Sequence, residues 1–171
     1  FESHNLQDEF LKELLKIALR KDNRLISVLM KDLSDAQVTL EKLTNTGRRM
    51  DIFIDCPLNK LVCVIENKIW AGEGCNQLED YKNYVLSHDK YKDYDYKIFL
   101  FLTPYEYEPC EDYKGYIRIN YRDIIKAINK LVEHNNYLFE DSVKIFIEHY
   151  KQMVERDIMG KTDKEIVDLC R

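Results

Sequence analysis

Glycine and proline are scarce in this chain of 171 residues, which contains only five glycines and three prolines. So little of either excludes a collagen-like repeat and argues against a low-complexity chain. Uncharged apolar runs are also short, and none approaches the roughly 18 residues that a membrane-spanning helix requires. With 45% hydrophobic and 33% charged residues, the composition is that of a globular protein of one domain.

An excess of positive charge is lacking as well, because the formal net charge is −5. This argues against binding of nucleic acid by bulk charge alone, although it permits a local basic rim around an acidic, metal-binding centre. The five cysteines form no Cys-x-x-Cys pair, so neither a zinc ribbon nor a disulfide framework is expected. We therefore expect reduced thiols in a cytoplasmic protein, with Cys63 buried in the core.

Apolar periodicity divides the chain into helices and strands. Helical spacing of i, i+3 and i+4 covers residues 6–19 and a shorter segment at 24–33. Period-two patterns then predict a meander of three strands, followed by a helix, two more strands and further helices. The predicted ranges are 38–41, 49–55 and 61–68 for the meander, 76–86 for the helix, 97–103 and 115–120 for the strands, and 121–133, 139–156 and 163–170 for the last helices.

This order of elements predicts an α/β domain in which a mixed central sheet, made of the meander and additional strands, is flanked by helices. We expect residues 1–120 to form the core and residues 121–171 to form a C-terminal helical extension packed on the same domain. Apolar residues on both faces of the strand at 61–68 indicate a central position in the sheet. The charged, tyrosine-rich connection at 87–96 is interpreted as solvent-exposed.

Three charged residues stand at the ends of strands that are otherwise apolar: Asp51, Glu66 and Lys68. If the second hairpin turns about residues 58–59, facing residue numbers sum to 117. Asp51 then lies opposite Glu66, and Lys68 follows on the same face. Two opposed carboxylates repel each other but suit a divalent cation. The alternative interpretation is a structural ion pair at the edge of the sheet.

The first hairpin brings another carboxylate towards the same place. If it turns about Thr46, facing numbers sum to 92 and Glu41 flanks Asp51. Glu41 is then either a further metal ligand or an exposed glutamate on an edge strand. Arg48 and Arg49 precede Asp51 on alternating faces, so that one of them could reach a phosphate. The alternative is that their charge prevents unwanted pairing of an edge strand.

The residues around this cluster resemble the PD-(D/E)XK nuclease superfamily. Asp51 is followed after 14 residues by Glu66-Asn67-Lys68, and Met50 stands where the superfamily's name has proline. One bacterial branch of the superfamily is similar in three segments, which here read Gly47-Arg48-Arg49-Met50-Asp51-Ile52, Ile65-Glu66-Asn67-Lys68 and Gln77-Leu78-Glu79-Asp80-Tyr81. That branch also has a glutamate in an N-terminal helix, for which Glu2 is the nearest candidate here. The resemblance spans residues 4–103 and implies a restriction-endonuclease-like core.

The resemblance implies a nuclease that hydrolyses phosphodiester bonds with Mg²⁺ or Mn²⁺. Asp51 and Glu66 would hold the metal, with the backbone of Ile65 or Asn67 assisting and Glu41 from the first hairpin as a further candidate. Lys68 would position the attacking water and offset charge on the phosphate. Gln77 would hold Lys68 or a phosphate oxygen.

Arg48, Arg49 and Tyr81 are the candidate substrate-binding residues, and Tyr81 is alternatively a brace for Glu66. The implied partner is DNA, with RNA as the alternative, and no membrane partner is expected. Nothing in the sequence predicts an oligomeric state. The competing hypothesis is a catalytically inactive nuclease fold that binds nucleic acid or another protein.

Overall fold

The computed structural model describes residues 8–20, 22–69, 76–104 and 115–160. Its first elements are helices α1 (Glu9–Ala18) and α2 (Leu25–Leu29), and strands β1 (Gln37–Leu43), β2 (Arg49–Cys56) and β3 (Leu61–Asn67). There follow α3 (Gln77–Ser87), β4 (Tyr96–Thr103), β5 (Ile117–Asn120), α4 (Tyr121–Asn135), α5 (Asp141–Met153) and a π-helical turn at Val154–Ile158. The helix that we predicted at 163–170 lies outside the described residues.

The five strands form one mixed sheet in the order β1-β2-β3-β4-β5. Strand β2 pairs antiparallel with both β1 and β3, whereas β4 pairs parallel with β3, and β5 pairs parallel with β4. Val38 faces Ile54 and Phe53 faces Val64, which are the registers that the two hairpin turns predict. Strand β3 has neighbours on both sides, and six of its seven residues are buried. The predicted α/β class with a mixed central sheet is confirmed.

Helices cover both faces of this sheet. The spacing of Leu11, Leu14 and Leu15 gives α1 one apolar side, which packs with α4 and with Ile54 and Leu100 of the sheet in the larger core. The smaller core lies on the other face, between the sheet and α3 with the segment that follows it. Its buried members include Phe53, Val64, Tyr81, Val85, Tyr91 and Phe99. The two cores fix α3 and α4 on opposite sides of the central strands.

The tyrosine-rich connection between α3 and β4 is solvent-exposed at its charged residues, Asp89, Lys90, Lys92, Asp93 and Asp95, so the prediction of an exposed connection was wrong only for its tyrosines. Tyr91 and Tyr94 are buried, and the rings of Tyr91 and Phe53 lie 5.1 Å apart between centroids. The Tyr94 hydroxyl donates to the buried Asp55 carboxylate over 2.9 Å, and the Lys90 ammonium lies 2.5 Å from the same carboxylate. The interleaved lysines and aspartates concealed this from a reading of composition, because a tyrosine ring can be buried while its charged neighbours stay in water.

The helices after β5 remain attached to the core. Ile124 and Ile128 of α4 are buried in the larger core, and so are Val154 and Ile158 beyond α5. This packing is compatible with an extension on the same domain, and the division at residue 120 stays a prediction.

Two further expectations from the sequence concern the cysteine thiols and membrane-spanning helices. Cys56 and Cys63 are buried and carry free thiols, and the other three cysteines lie outside the described residues. Each helix in the described ranges is too short or too polar to cross a bilayer.

Candidate active site

The two strand-end carboxylates meet at one end of the central hairpin, on the face covered by α3. The β2–β3 register places Ile52 opposite Ile65, and continuing it by one residue brings Asp51 opposite Glu66. Asp51 is half-buried at the start of β2, whereas the Glu66 side chain near the end of β3 is 0% exposed. The strand pattern itself imposes this burial, because Glu66 continues the alternation of the core residues before it.

Within the described ranges, only one oxygen of the Glu66 carboxylate has polar partners. Its Oε1 accepts a hydrogen bond of 2.8 Å from Gln77 Nε2 and lies 2.8 Å from the Lys68 ammonium. Its Oε2 is buried and has no hydrogen-bond partner among the described residues. Buried carboxylate oxygens are normally satisfied, so an unpartnered one indicates a position that a ligand would complete.

Gln77 links the catalytic candidates to one another. It is the first residue of α3, and its Oε1 accepts from Lys68 Nζ at 3.1 Å while its Nε2 donates to Glu66. Its Nε2 also lies 2.6 Å from the hydroxyl of Tyr81, one helical turn further along. The amide therefore fixes the distance between the Lys68 ammonium and the Glu66 carboxylate.

Tyr81 acts from inside the protein. Its side chain is buried against the sheet, and its hydroxyl donates to the carbonyl of Arg49 next to Gln77. Burial raises the pKa of the Tyr81 phenol to about 12, so the hydroxyl remains a donor at neutral pH. The hydroxyl thus contacts Gln77, which binds Glu66, and it joins α3 to the strand that carries Asp51. The substrate-binding role of Tyr81 stays a prediction.

The charge of Glu66 is disfavoured by its surroundings. Burial raises the pKa of the Glu66 carboxyl to about 7, against the lowering effect of Lys68, and the nearby Asp51 charge adds to the rise. A buried carboxyl with a raised pKa is a candidate functional group, because a bound cation would favour its ionised form.

This shift predicts how the stability of the metal-free protein depends on pH. The unfolded chain releases the Glu66 proton near its ordinary pKa of 4.5, and the folded protein holds it up to a pKa of about 7. The folded state thus binds more protons in between, so Glu66 lowers the free energy of unfolding as the pH rises through this window, by on the order of 2 kcal/mol. Denaturant titrations in EDTA at several pH values should find this decline in wild type and a flatter profile in Glu66→Gln. Parallel profiles would contradict the environment assigned to Glu66.

The donor set fits a hard divalent cation. Asp51 and Glu66 offer carboxylate oxygens, and Mg²⁺ is commonly held by one or two carboxylates with retained waters. The observation that supports this fit is the buried Oε2 of Glu66, for which the described part of the chain offers no hydrogen-bond partner. In the described ranges no group of three His, Cys, Asp or Glu side chains could hold a metal by itself. Glu2 lies outside those ranges.

The other predicted residues border the cluster. Glu41 has a left-handed backbone with φ of 52°. Its side chain is 61% exposed, and its carboxylate lies 3.4 Å from the Arg49 guanidinium. Its role as a metal ligand stays a prediction, and so do the substrate-binding roles of the two arginines. The Arg48 guanidinium lies 2.7 Å from the Asp80 carboxylate of α3, and the Arg49 side chain is 65% exposed.

Sequence reasoning missed how Asp51 is held. The backbone N–H of Asn67 donates to Asp51 Oδ2 over 2.7 Å, and the side-chain oxygen of Asn67 accepts from the Tyr121 hydroxyl at 3.0 Å. The alternation of side chains along a strand could have predicted that the Asn67 side chain lies on the face opposite Glu66 and Lys68. No pattern pointed to Tyr121, because it lies 54 residues away and reaches Asn67 only through the order of the strands.

Comparison with known proteins agrees with this architecture. A family model described as the PD-(D/E)XK nuclease superfamily matches residues 1–152. Searches of curated proteins and of solved structures gave no significant match. The family match indicates nuclease activity on nucleic acid and the general use of divalent metal ions. Because the match covers most of the chain and the five-stranded mixed sheet agrees with it, the protein belongs to the PD-(D/E)XK nuclease superfamily.

Proposed function

We propose that this protein is a Mg²⁺- or Mn²⁺-dependent nuclease that hydrolyses phosphodiester bonds of DNA. The observation that carries the proposal is the fully buried Glu66, one oxygen of which has no hydrogen-bond partner in the part of the chain that the structure describes, while the other binds Lys68 and Gln77. A structural ion pair would satisfy both oxygens, because an unpartnered buried polar atom costs stability. A site built for a metal ion leaves that oxygen open.

Asp51 and Glu66 would hold the cation from opposite strands. When bound, the cation supplies two effects, a lower pKa for a coordinated water and stabilisation of negative charge on the scissile phosphate. The Asp51 oxygen that accepts the Asn67 N–H is fixed in position, which leaves its other oxygen to face the site. Glu41 would join this set only if its carboxylate left Arg49, so it is the weaker of the three ligand candidates.

Lys68 is the candidate for charge stabilisation and water positioning. Its side chain is 18% exposed, so the ammonium can reach substrate from a largely buried side chain, where its charge acts more strongly than in water. Gln77 would hold that ammonium at the edge of the metal site. A positioned donor of this kind stabilises the charge that develops on the phosphate without having to reorganise during the reaction.

The contact with DNA would be local, since the chain as a whole carries a net charge of −5. Arg48 and Arg49 immediately precede Asp51, and the exposed Arg49 is the more accessible to a phosphate. Tyr81 supports the substrate surface from beneath, through the Arg49 carbonyl, rather than by stacking on a base. The preference for DNA over RNA rests on the resemblance to nucleases of the bacterial branch.

The competing function is an inactive module that kept the fold and binds nucleic acid or protein. The intact set of Asp51, Glu66 and Lys68 favours the enzyme, because an inactive module needs no opposed carboxylates. The discriminating experiment incubates the protein with plasmid DNA, single-stranded DNA and RNA in Mg²⁺, in Mn²⁺ and in EDTA. Cleavage of DNA with metal but not in EDTA supports the proposal. Binding without cleavage supports the inactive module. Cleavage of RNA but not of DNA would support the nuclease activity and contradict DNA as its substrate.

A further inference from the structure

We propose that Tyr121 is a positioning residue for the reaction, which holds the metal-binding carboxylate of Asp51 through Asn67. The inference rests on the proposed function, and it adds a residue from α4, on the face of the sheet opposite the active site. The Tyr121 hydroxyl donates to the side-chain oxygen of Asn67 at 3.0 Å, and the Asn67 backbone N–H donates to Asp51 Oδ2 at 2.7 Å.

Strand alternation explains why this connection crosses the sheet. Glu66 and Lys68 project to the α3 face, so the Asn67 side chain between them projects to the α4 face. Tyr121 belongs to the larger core on that face. The contact between Tyr121 and the Asn67 side chain on one face therefore fixes Asn67, whose backbone N–H binds the Asp51 carboxylate on the other face.

Tyr121 is itself rigidly placed. It is the first residue of α4 and is 4% exposed. The helix start is fixed by a capping box, in which the Asp123 N–H donates to the Asn120 side chain at 3.0 Å and the Asn120 N–H donates to the Asp123 carboxylate at 3.2 Å. Its hydroxyl is thus a fixed reference point, and it remains protonated because burial raises the pKa of the phenol to about 12.

Asn67 needs such a reference because β3 ends there. The next residue, Lys68, still donates its N–H to the Leu102 carbonyl at 2.9 Å, so the backbone is held after Asn67 by β4. The Asn67 N–H points the other way, to Asp51. The Tyr121 bond keeps Asn67 from rotating about this junction, and partners that orient metal ligands in this way are typically worth about ten- to a hundredfold in affinity or activity.

The test removes the hydroxyl alone, in Tyr121→Phe. The matched control is Tyr94→Phe, which also loses a buried tyrosine hydroxyl that donates to a side-chain oxygen, here of Asp55. Asp55 lies at the opposite end of β2 from Asp51. We expect Tyr121→Phe to cleave DNA at least about tenfold more slowly, with kcat reduced and KM little changed, and to bind Mn²⁺ more weakly. We also expect the NMR resonance of the Asn67 backbone amide proton to move upfield in this variant, as its hydrogen bond to Asp51 weakens. Tyr94→Phe should change none of these.

A second variant tests the route of the effect. If Tyr121 acts through the Asn67 side chain, Tyr121→Phe should have little further effect on cleavage in an Asn67→Ala background. Fully additive losses would overturn the proposal. Equal losses of Tm in Tyr121→Phe and Tyr94→Phe, with unchanged cleavage and an unchanged Asn67 resonance, would also overturn it, because Tyr121 would then be structural only.

The same experiment separates this inference from the proposed function. If wild type cleaves no phosphodiester, the proposed nuclease activity fails, while the Asn67 resonance and the Mn²⁺ affinity still decide whether Tyr121 positions Asp51. If wild type cleaves DNA and Tyr121→Phe matches it in all three measurements, only the inference fails.

Discussion

Lys68→Ala is expected to keep the fold and the affinity for Mn²⁺ while lowering DNA cleavage at least about a hundredfold. The loss follows from removing a positioned charge from the scissile phosphate, which typically costs two to three orders of magnitude. Metal affinity should persist, because the carboxylates of Asp51 and Glu66 remain and a neighbouring positive charge has been removed. Single-turnover cleavage at saturating DNA, with Mn²⁺ affinity measured by calorimetry, separates the two effects.

Lys90→Ala is the matched control for this variant. Lys90, like Lys68, pairs its ammonium with a buried carboxylate on the same face of the sheet, but with Asp55 at the other end of β2. Its loss should affect stability to a similar extent and leave cleavage unchanged. Cleavage by Lys68→Ala at the wild-type rate would remove Lys68 from the mechanism.

Asp51→Asn should leave the metal-free protein as stable as wild type or more so, while abolishing most of the stabilisation by Mn²⁺. Asp51 opposes another carboxylate, and relief of a cross-strand charge clash is worth up to about 1 kcal/mol. The amide oxygen of asparagine can still accept the Asn67 N–H. Mn²⁺ stabilises only the state that binds it, so a variant without the ligand gains little from added metal.

Asp55→Asn provides the contrasting case from the same strand. Asp55 is buried and accepts from Tyr94 while it pairs with Lys90, so its neutralisation should cost about 2 kcal/mol. Thermal melts in EDTA and in Mn²⁺ distinguish the two residues: Asp55→Asn should melt lower but still respond to metal. A large fall in Tm for Asp51→Asn in EDTA, together with a full response to Mn²⁺, would make Asp51 a structural partner and refute its role as a ligand.

Sequence alone predicted much of the sheet because two short turns fix the register. The hairpins about Thr46 and residues 58–59 set the observed facing pairs, and a register determines at once which residues share a face. The meeting of Asp51 with Glu66 follows from that. Gln77 was found by its motif, and its bonds to Lys68 and Glu66 agree with the predicted neighbourhood.

The sequence could not give the contacts that depend on packing between distant segments. By residue number Glu41 falls opposite Asp51, but its backbone is left-handed and its exposed side chain pairs with Arg49. The sum of facing residue numbers predicts a register and contains no information on the backbone angle φ. The burial of Tyr91 depends on contact with Phe53 of β2. The bond from Tyr121 to Asn67 depends on the position of α4 after β5, for which the local sequence holds no signal.

The central claim is that Asp51 and Glu66 form a divalent-metal site, and calorimetric titration of Mn²⁺ at pH 8 into wild type and Glu66→Gln tests it most directly. We expect saturable binding to wild type and an affinity at least about tenfold weaker in Glu66→Gln, because an amide replaces one of two charged oxygen ligands. The metal-free variant should melt no lower than wild type at this pH, so unfolding would not account for the loss. Identical Mn²⁺ affinities in the two proteins, or no binding to wild type, would contradict the account.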